Sequence, residues 1–301
     1  MKLMQRLNHW LNPAITLTDL SVQTPLLASL LTMSWLVEAR DPYTGGHLWR
    51  VSQYCALLAK EMGFAPNEVV RIALGGFVHD LGKVGIPDAV LRKAGPLSDD
   101  EYSVIKTHPE IGKRMLEGHP FAALVMDAVW SHHEMPNGRG YPRGLTSEQI
   151  PTIAAITGIC DAFDAMTSNR PYREGMPLAK ALGIIESGAG SQFDSHLASS
   201  FVKLGRQGLF DHVMGHTDDG IPLRHCLTCG PTVVVRRTSI PGDQVFCPVC
   251  GSGYELHPAE SRAALILSPT GKKGSAAQLS PSPDTELIAR LASRFAKSPL
   301  T

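Results

Sequence analysis

From about Pro25 to Leu204 apolar residues recur at three- and four-residue spacing, and period-two alternation is scarce, so the pattern predicts an all-α core. A first helix is expected over Leu26 to Ala39. It stops before Asp41-Pro42, because the residue preceding a proline resists the α conformation. The second opens at His47 and runs to about Met62, with Leu48, Val51, Cys55, Leu58 and Ala59 on one stripe and Gly63 as a left-handed cap. The third starts near Pro66 and leads Val69, Ile72, Ala73, Leu74, Phe77 and Val78 directly into His79-Asp80, at the end of a buried helix. Ser98-Asp99-Asp100-Glu101 is a capping box that specifies another start. Further helices are expected over Glu110 to Leu116, after a break at His108-Pro109, over Phe121 to Glu134, and over Ile153 to Thr167. The last places Asp161 and Asp164 on roughly one face. Asn137 to Pro142, with two glycines and a proline, is a loop hard against His132-His133.

Beyond Leu204 the pattern changes. Thr232 to Thr238 reads as a strand, Pro241-Gly242-Asp243 as a turn, and Gly251 to Leu256 as a second strand. Ser268 to Pro283, rich in Ser, Pro, Gly and Ala, is expected to be disordered. Asp284 to Lys297 carries Leu287, Ile288, Leu291 and Phe295 on one stripe and is an amphipathic helix, expected to dock on a partner or on the chain itself. The organisation is thus a leader (1–24), a helical domain (25–206), a linker (207–224), a small β module (225–258), and a disordered linker with a terminal helix (259–301).

Composition narrows the function classes. The chain has 301 residues, 43% of them hydrophobic and 19% charged, and a formal net charge of zero, which argues against a polyanion-coating protein. The first residues lack a signal-peptide core. The longest apolar run, Pro25 to Val37, is short of the roughly 20 residues that span a bilayer, so no transmembrane segment is expected and the location is read as cytoplasmic.

Six cysteines divide into two isolated ones, Cys55 and Cys160, read as buried small hydrophobes, and four in CxxC pairs. Cys226 and Cys229 are separated by seventeen residues from Cys247 and Cys250, and each pair ends in glycine, the spacing of a zinc ribbon with one structural Zn. Two disulfides are the alternative, disfavoured in a reducing cytosol. Arg224, Arg236 and Arg237 are too few cations to argue for nucleic-acid binding by this module.

The chemistry centres on His79-Asp80-Leu81-Gly82-Lys83, answered downstream by His108, His132-His133 and Asp161. Imidazoles mixed with carboxylates suit Fe, Mn, Co or Zn better than the oxygen-seeking Mg or Ca. Two such cations would acidify a bridging water and clamp a phosphodiester for in-line attack. Lys83, four residues after His79, falls on the same face if the helix persists and could stabilise charge on the phosphoryl oxygens. Arg170 and Arg173 could hold a second phosphate or a guanine edge through their planar forks; surface ion pairs are the alternative. His9, His119, His196, His212, His216 and His257 are read as surface or capping residues.

Over about Ala39 to Leu204 the chain resembles the HD-GYP domain family, the HD phosphohydrolases that hydrolyse the bacterial second messenger cyclic di-GMP. The resemblance rests on Asp41-Pro42-Tyr43-Thr44-Gly45-Gly46-His47, His79-Asp80-Leu81-Gly82-Lys83, Ile86-Pro87-Asp88, Lys106-Thr107-His108, His132-His133-Glu134, Gly140-Tyr141-Pro142, and Asp161 through Arg173, in the family's order. It implies a bundle of about seven helices holding Fe or Mn, with ligands at His47, His79, Asp80, His108, His132, His133 and Asp161 and with Asp80 as the bridge. It also implies that Lys83 approaches the substrate phosphate and that the Tyr141 loop shapes the substrate pocket.

Two departures qualify it. Family members with a third metal carry a glutamate four residues before the first ligand histidine, and here that residue is Tyr43. Two metals are therefore expected, with linear pGpG rather than GMP as product. Asn137 stands where aspartate is usual, which keeps the turn and loses a charge that would order the loop. A hydrolase of another cyclic dinucleotide, such as cyclic GMP-AMP, is the runner-up. The non-catalytic alternative is an adaptor that binds cyclic di-GMP or a diguanylate cyclase. Expected partners are a cyclic dinucleotide, a diguanylate cyclase or another signalling protein, and a second copy of the chain. With no sensor domain expected before the helical region, the cysteine module is the candidate input device.

Overall fold

The computed structural model describes residues 20–40, 45–93, 95–169, 173–259, 265–280 and 282–297. Tyr43 and Arg170, and the expectations attached to them, lie outside these residues.

A long helix α1, Leu20–Glu38, begins before Pro25 and not after it. It buries Leu27, Leu30 and Leu31 completely. By length and composition alone α1 could cross a bilayer, which the shorter expected run did not suggest. Helices α2, His47–Glu61, and α3, Pro66–Val78, form the centre of the bundle and present Val51, Tyr54, Cys55, Leu58, Leu74 and Phe77 to its core. Gly63, at a φ of 77°, ends α2 as expected. After α3 the chain tightens into a 3-10 turn, Leu81–Gly85, so Lys83 does not continue the face of His79. Gly82 has a steric reason to lack a side chain: a Cβ there would stand 1.8 Å from the His108 carbonyl oxygen.

Short helices α4, Asp88–Leu91, and α5, Asp99–Ile105, follow. The box that starts α5 is complete, with Ser98 Oγ accepting from Glu101 N at 3.2 Å and Glu101 Oε2 accepting from Ser98 N at 2.7 Å. Then come α6, His108–Leu116, α7, Ala122–Ser131, α8, Thr152–Thr167, α9, Leu178–Ser187, and α10, Ser195–Arg206. Tyr54, Phe163, Phe201 and Phe210 lock α2, α8, α10 and the chain after α10 together in edge-on and tilted pairs, of the kind worth about 1 kcal/mol each beyond burial.

The C-terminal part contains small antiparallel sheets, in the β module expected over 225–258 and also on either side of it, so the all-α description holds for the helical part alone. In the expected linker, β1, His216–Asp218, pairs with β2, Ile221–Pro222. In the cysteine module β3, Arg224–Cys226, pairs with β4, Gly230–Val233, which is shorter than the strand expected to Thr238. A three-stranded sheet follows in the order β5, Gln244–Phe246, β6, Ser252–Pro258, and β7, Leu265–Lys273. Strand β7 and helix α11, Ala276–Leu279, correct the expectation of disorder from Ser268. The polar composition of β7 reflects a partly exposed edge strand, whose backbone bonds to β6 do not need apolar side chains. The terminal helix α12, Thr285–Ala296, docks on the chain itself, burying Leu287, Ile288, Leu291 and Phe295 in the main core against α1.

Candidate active site

The ends of four helices deliver the predicted ligands to one place. His47 opens α2, His79-Asp80 closes α3, His108 opens α6, His132-His133 follows α7, and Asp161 comes from the middle of α8. Asp80 stands between two groups. Its Oδ1 faces His108 Nε2 at 3.4 Å and His132 Nε2 at 4.0 Å, while its Oδ2 faces His79 Nε2 at 3.4 Å and His47 Nε2 at 3.7 Å. Asp161 Oδ1 joins the second group, 3.5 Å from His47 Nε2 and 3.6 Å from His79 Nε2. His133 joins the first with His108 and His132.

The histidines are oriented by hydrogen bonds from their other ring nitrogen. Nδ1 of His79, His108 and His132 contacts the carbonyl of Gly76, Ile105 and Ala128, each at 2.8 Å. A carbonyl only accepts, so each Nδ1 carries the proton; burial keeps His108 and His132 neutral, so their Nε2 atoms present lone pairs, whereas at His79 burial is outweighed by the Asp80 and Asp161 carboxylates, which favour the charged form. The lone pairs on His108 and His132 face each other at 3.2 Å. His79 Nε2 and Asp80 Oδ1 are buried without a hydrogen-bond partner. Opposed lone pairs and polar atoms without a partner are unfavourable to bury alone. Cations between them remove both problems, so the residues present fit divalent metal ions.

Electrostatics agree. Burial alone would raise Asp80, but the Lys83 ammonium and His79 outweigh it and hold the carboxyl well below its usual range. Burial also opposes ionisation of Asp161, and His79 and His47 reverse it. His108 is pushed down to about 3 and His133 to about 4, chiefly by burial, so both are neutral donors at physiological pH.

Lys83 lies at the rim with its Nζ 2.6 Å from Asp80 Oδ2. Tyr141 stacks on His133, ring centroids 4.7 Å apart. Arg173 donates to the Ala165 carbonyl.

Three functional residues had no assigned role in the sequence reading. Asp164 Oδ2 accepts from His47 Nδ1 at 2.8 Å, and the buried Arg50 guanidinium grips the same carboxylate through Nε at 2.7 Å and Nη2 at 2.9 Å. Their signal was the i, i+3 spacing of Asp161 with Asp164 and of His47 with Arg50. Glu134 is the third. Its two oxygens accept from the backbone amides of Arg143 at 2.7 Å and Leu145 at 2.8 Å, closing the Tyr141 loop. Asn137 makes an Asx-type turn onto Arg139 N at 3.0 Å, so ordering of this loop does not hang on a charge at 137. Replacing Glu134 by alanine is expected to speed amide exchange at Arg143 and Leu145 at least tenfold, since bonds to a charged acceptor contribute about 1.5–3 kcal/mol each. Exchange measured by mass spectrometry at wild-type rates would refute this role.

The four cysteines also converge: their sulfurs lie within 4.8 Å of one another, and none is in a disulfide. Gly230 and Gly251 follow the two pairs with φ of 76° and 73°. Tyr254 OH donates to Cys226 Sγ at 3.2 Å, and Thr232 Oγ1 lies 3.3 Å from Cys247 Sγ. Burial works against a charged Cys250, but contacts from Ser252 and the neighbouring thiols bring it down to about 6.

A protein-family model described as an HD domain matches residues 32–197. A cyclic di-GMP phosphodiesterase of Thermotoga maritima is 38% identical over 184 residues, covering 60% of this chain and 50% of its own length. The cyclic di-GMP phosphodiesterase response regulator RpfG of Xanthomonas campestris pv. campestris is 37% identical over 197 residues, covering 61% and 52%. A 3′3′-cGAMP-specific phosphodiesterase 3 of Vibrio cholerae is 34% identical over 169 residues, covering 56% and 36%. The chain thus spans about half the length, or less, of these curated relatives.

Proposed function

Because the chain belongs to the HD-domain family, we propose that it is a metal-dependent phosphodiesterase that opens cyclic di-GMP to linear pGpG. The observation that carries this reading is Asp80, whose two oxygens face two separate histidine groups. His47, His79 and Asp161 would hold one divalent ion and His108, His132 and His133 the other; the donor set suits Fe, Mn, Co or Zn, and the family resemblance favours iron or manganese among them. When bound, such ions supply an acidified water and a clamp on the phosphodiester oxygens.

The chain's own residues supply the rest. Lys83 brings a positive charge to the rim, where phosphoryl oxygens gain charge. Tyr141, backed by His133, offers a flat wall to a purine. Arg173 would have to leave the Ala165 carbonyl to grip a second phosphate, and Arg170 is assigned the same role from its sequence position alone. The Cys226, Cys229, Cys247 and Cys250 cluster would hold one zinc ion and present a docking or regulatory module.

The test is to load the purified chain with iron or manganese under reducing conditions, offer cyclic di-GMP, 3′3′-cGAMP and cyclic di-AMP, and separate products by chromatography. Fastest loss of cyclic di-GMP with pGpG accumulating is expected. GMP as the main product at excess enzyme would overturn the two-metal reading drawn from Tyr43. Preference for 3′3′-cGAMP would move the chain toward the relatives named for that substrate, and no turnover by the loaded protein would favour the adaptor.

A further inference from the structure

The contact that holds the first metal-ligand candidate does not end inside the helical domain. Asp164 is bonded to His47 Nδ1, and Arg50 holds both oxygens of that carboxylate. The rest of the guanidinium is fully used: Nη1 donates to the Gly45 carbonyl at 2.8 Å and to the His216 carbonyl at 3.0 Å, and Nη2 also meets Ser168 Oγ at 3.1 Å. His216 belongs to β1, in the region expected to be a linker. The approach is close enough that a Cβ on Gly46, the residue before His47, would stand 2.6 Å from the Thr217 Cα.

Strand β1 is in turn held from the C-terminal side. Asp218, almost completely buried, accepts from Arg237 Nε of the cysteine module at 3.1 Å and from Arg290 of α12. A continuous series of charge-assisted bonds therefore runs from α12 and the cysteine module through Asp218 and β1 to Arg50, Asp164 and His47. Hydrogen bonds to an ionised partner are about twice as strong as neutral ones, and an orienting partner behind a ligand histidine is worth about 10- to 100-fold in metal affinity.

We propose that Arg50 is the positioning residue of His47, and that β1, anchored through Asp218 by Arg237 and Arg290, completes its site, so that the C-terminal segment sets metal affinity at the His47–His79–Asp161 group. This rests on the metal-dependent reading of the site, but not on which substrate is cleaved. Arg50 touches neither metal nor substrate and acts by keeping the Asp164 carboxylate in line with Nδ1. Lysine at 50 keeps the charge and loses the fork, so it cannot hold both carboxylate oxygens and the His216 carbonyl at once. Asparagine at 218 keeps the volume and removes the charge that both arginines share.

The experiment is equilibrium dialysis of full-length wild type, Arg50→Lys and Asp218→Asn against a manganese series, followed by elemental analysis. Zinc counted in the same samples, with the helical circular dichroism signal, reports whether the chain is folded. Arg50→Lys is expected to need at least tenfold more manganese to fill half of its weaker site, and Asp218→Asn about three- to tenfold more, with zinc unchanged. Folded Arg50→Lys that takes up manganese as wild type does overturns the positioning role. Folded Asp218→Asn with wild-type uptake overturns the link to the C-terminal segment, and it decides that point even if Arg50→Lys fails to fold. Wild-type protein that binds manganese yet cleaves no cyclic dinucleotide would sink the phosphodiesterase reading and leave this one standing.

Discussion

Asp80→Asn protein is expected to remain helical and to lose at least about a thousandfold in turnover, roughly 4 kcal/mol of barrier, together with much of its active-site metal. The argument is geometric. Among the described residues Asp80 is the carboxylate whose two oxygens face both histidine groups. Asparagine has the same shape, but one end becomes an N–H donor, so it can serve at most one group and turns a donor toward the other. Lys83, whose ammonium helps to hold Asp80 ionised, would also face an amide in place of a carboxylate. Lys83→Met is the contrasting variant: it removes no ligand, so metal content should stay near wild type while turnover falls about a hundredfold. Cyclic di-GMP hydrolysis by chromatography, with elemental analysis of the same preparations, separates the two. Asp80→Asn turning over at the wild-type rate would sink the bridging role.

Much of this site was legible in the sequence because its ligands mark helix ends. Pro66 at the start of α3 and the aspartate that follows His79 frame one pair, and Pro109 frames the start of α6. The i, i+3 and i, i+4 periodicity of the apolar residues then fixes which helices face inward, and that aims the ligands at a common centre. Residues whose work is done through backbone groups were harder to read. The acceptors that orient His79, His108 and His132 are carbonyls, which leave no side-chain signal. Glu134 works by accepting from two amides nine and eleven positions away, a pairing that depends on how the loop folds back.

Arg50 illustrates the same difficulty over a longer span. It is almost fully buried, where a charge is costly unless paired, and its partners come from Gly45, Asp164, Ser168 and His216. Its burial shows only in the structure, and its partners lie as many as 166 positions away. Strand β7 was missed for another reason. It pairs at an edge, where the ladder to β6 uses backbone atoms that composition does not report. The pattern that did carry through was the stripe of α12, whose Leu287, Leu291 and Phe295 found a surface on α1.

Cys247→Ser is expected to release the cysteine module from its fold while leaving the helical domain standing. Buried hydrophobic residues in the module's own core are few: Cys226, Val233, Cys247 and Tyr254. Each fully buried side chain contributes about 2 kcal/mol, whereas ordering each residue of the module costs about 1.5 kcal/mol. That core alone does not hold the β3–β4 hairpin against the β5–β6–β7 sheet. A structural zinc ion contributes about 10–16 kcal/mol in small tetrathiolate and related sites, and here it would tie Cys226 and Cys229 of the hairpin to Cys247 and Cys250 of the sheet. Serine keeps the size but does not supply a thiolate, so both halves should part and Arg237 should loosen from Asp218. Limited proteolysis read by mass spectrometry should then cut within residues 225–258 at least tenfold faster, with zinc falling from one per chain toward none and the helical signal largely kept. A variant without zinc that resists protease as wild type does would mean that hydrogen bonds such as Tyr254 to Cys226 and packing on the helical domain suffice, and that the four thiols do not hold the module together.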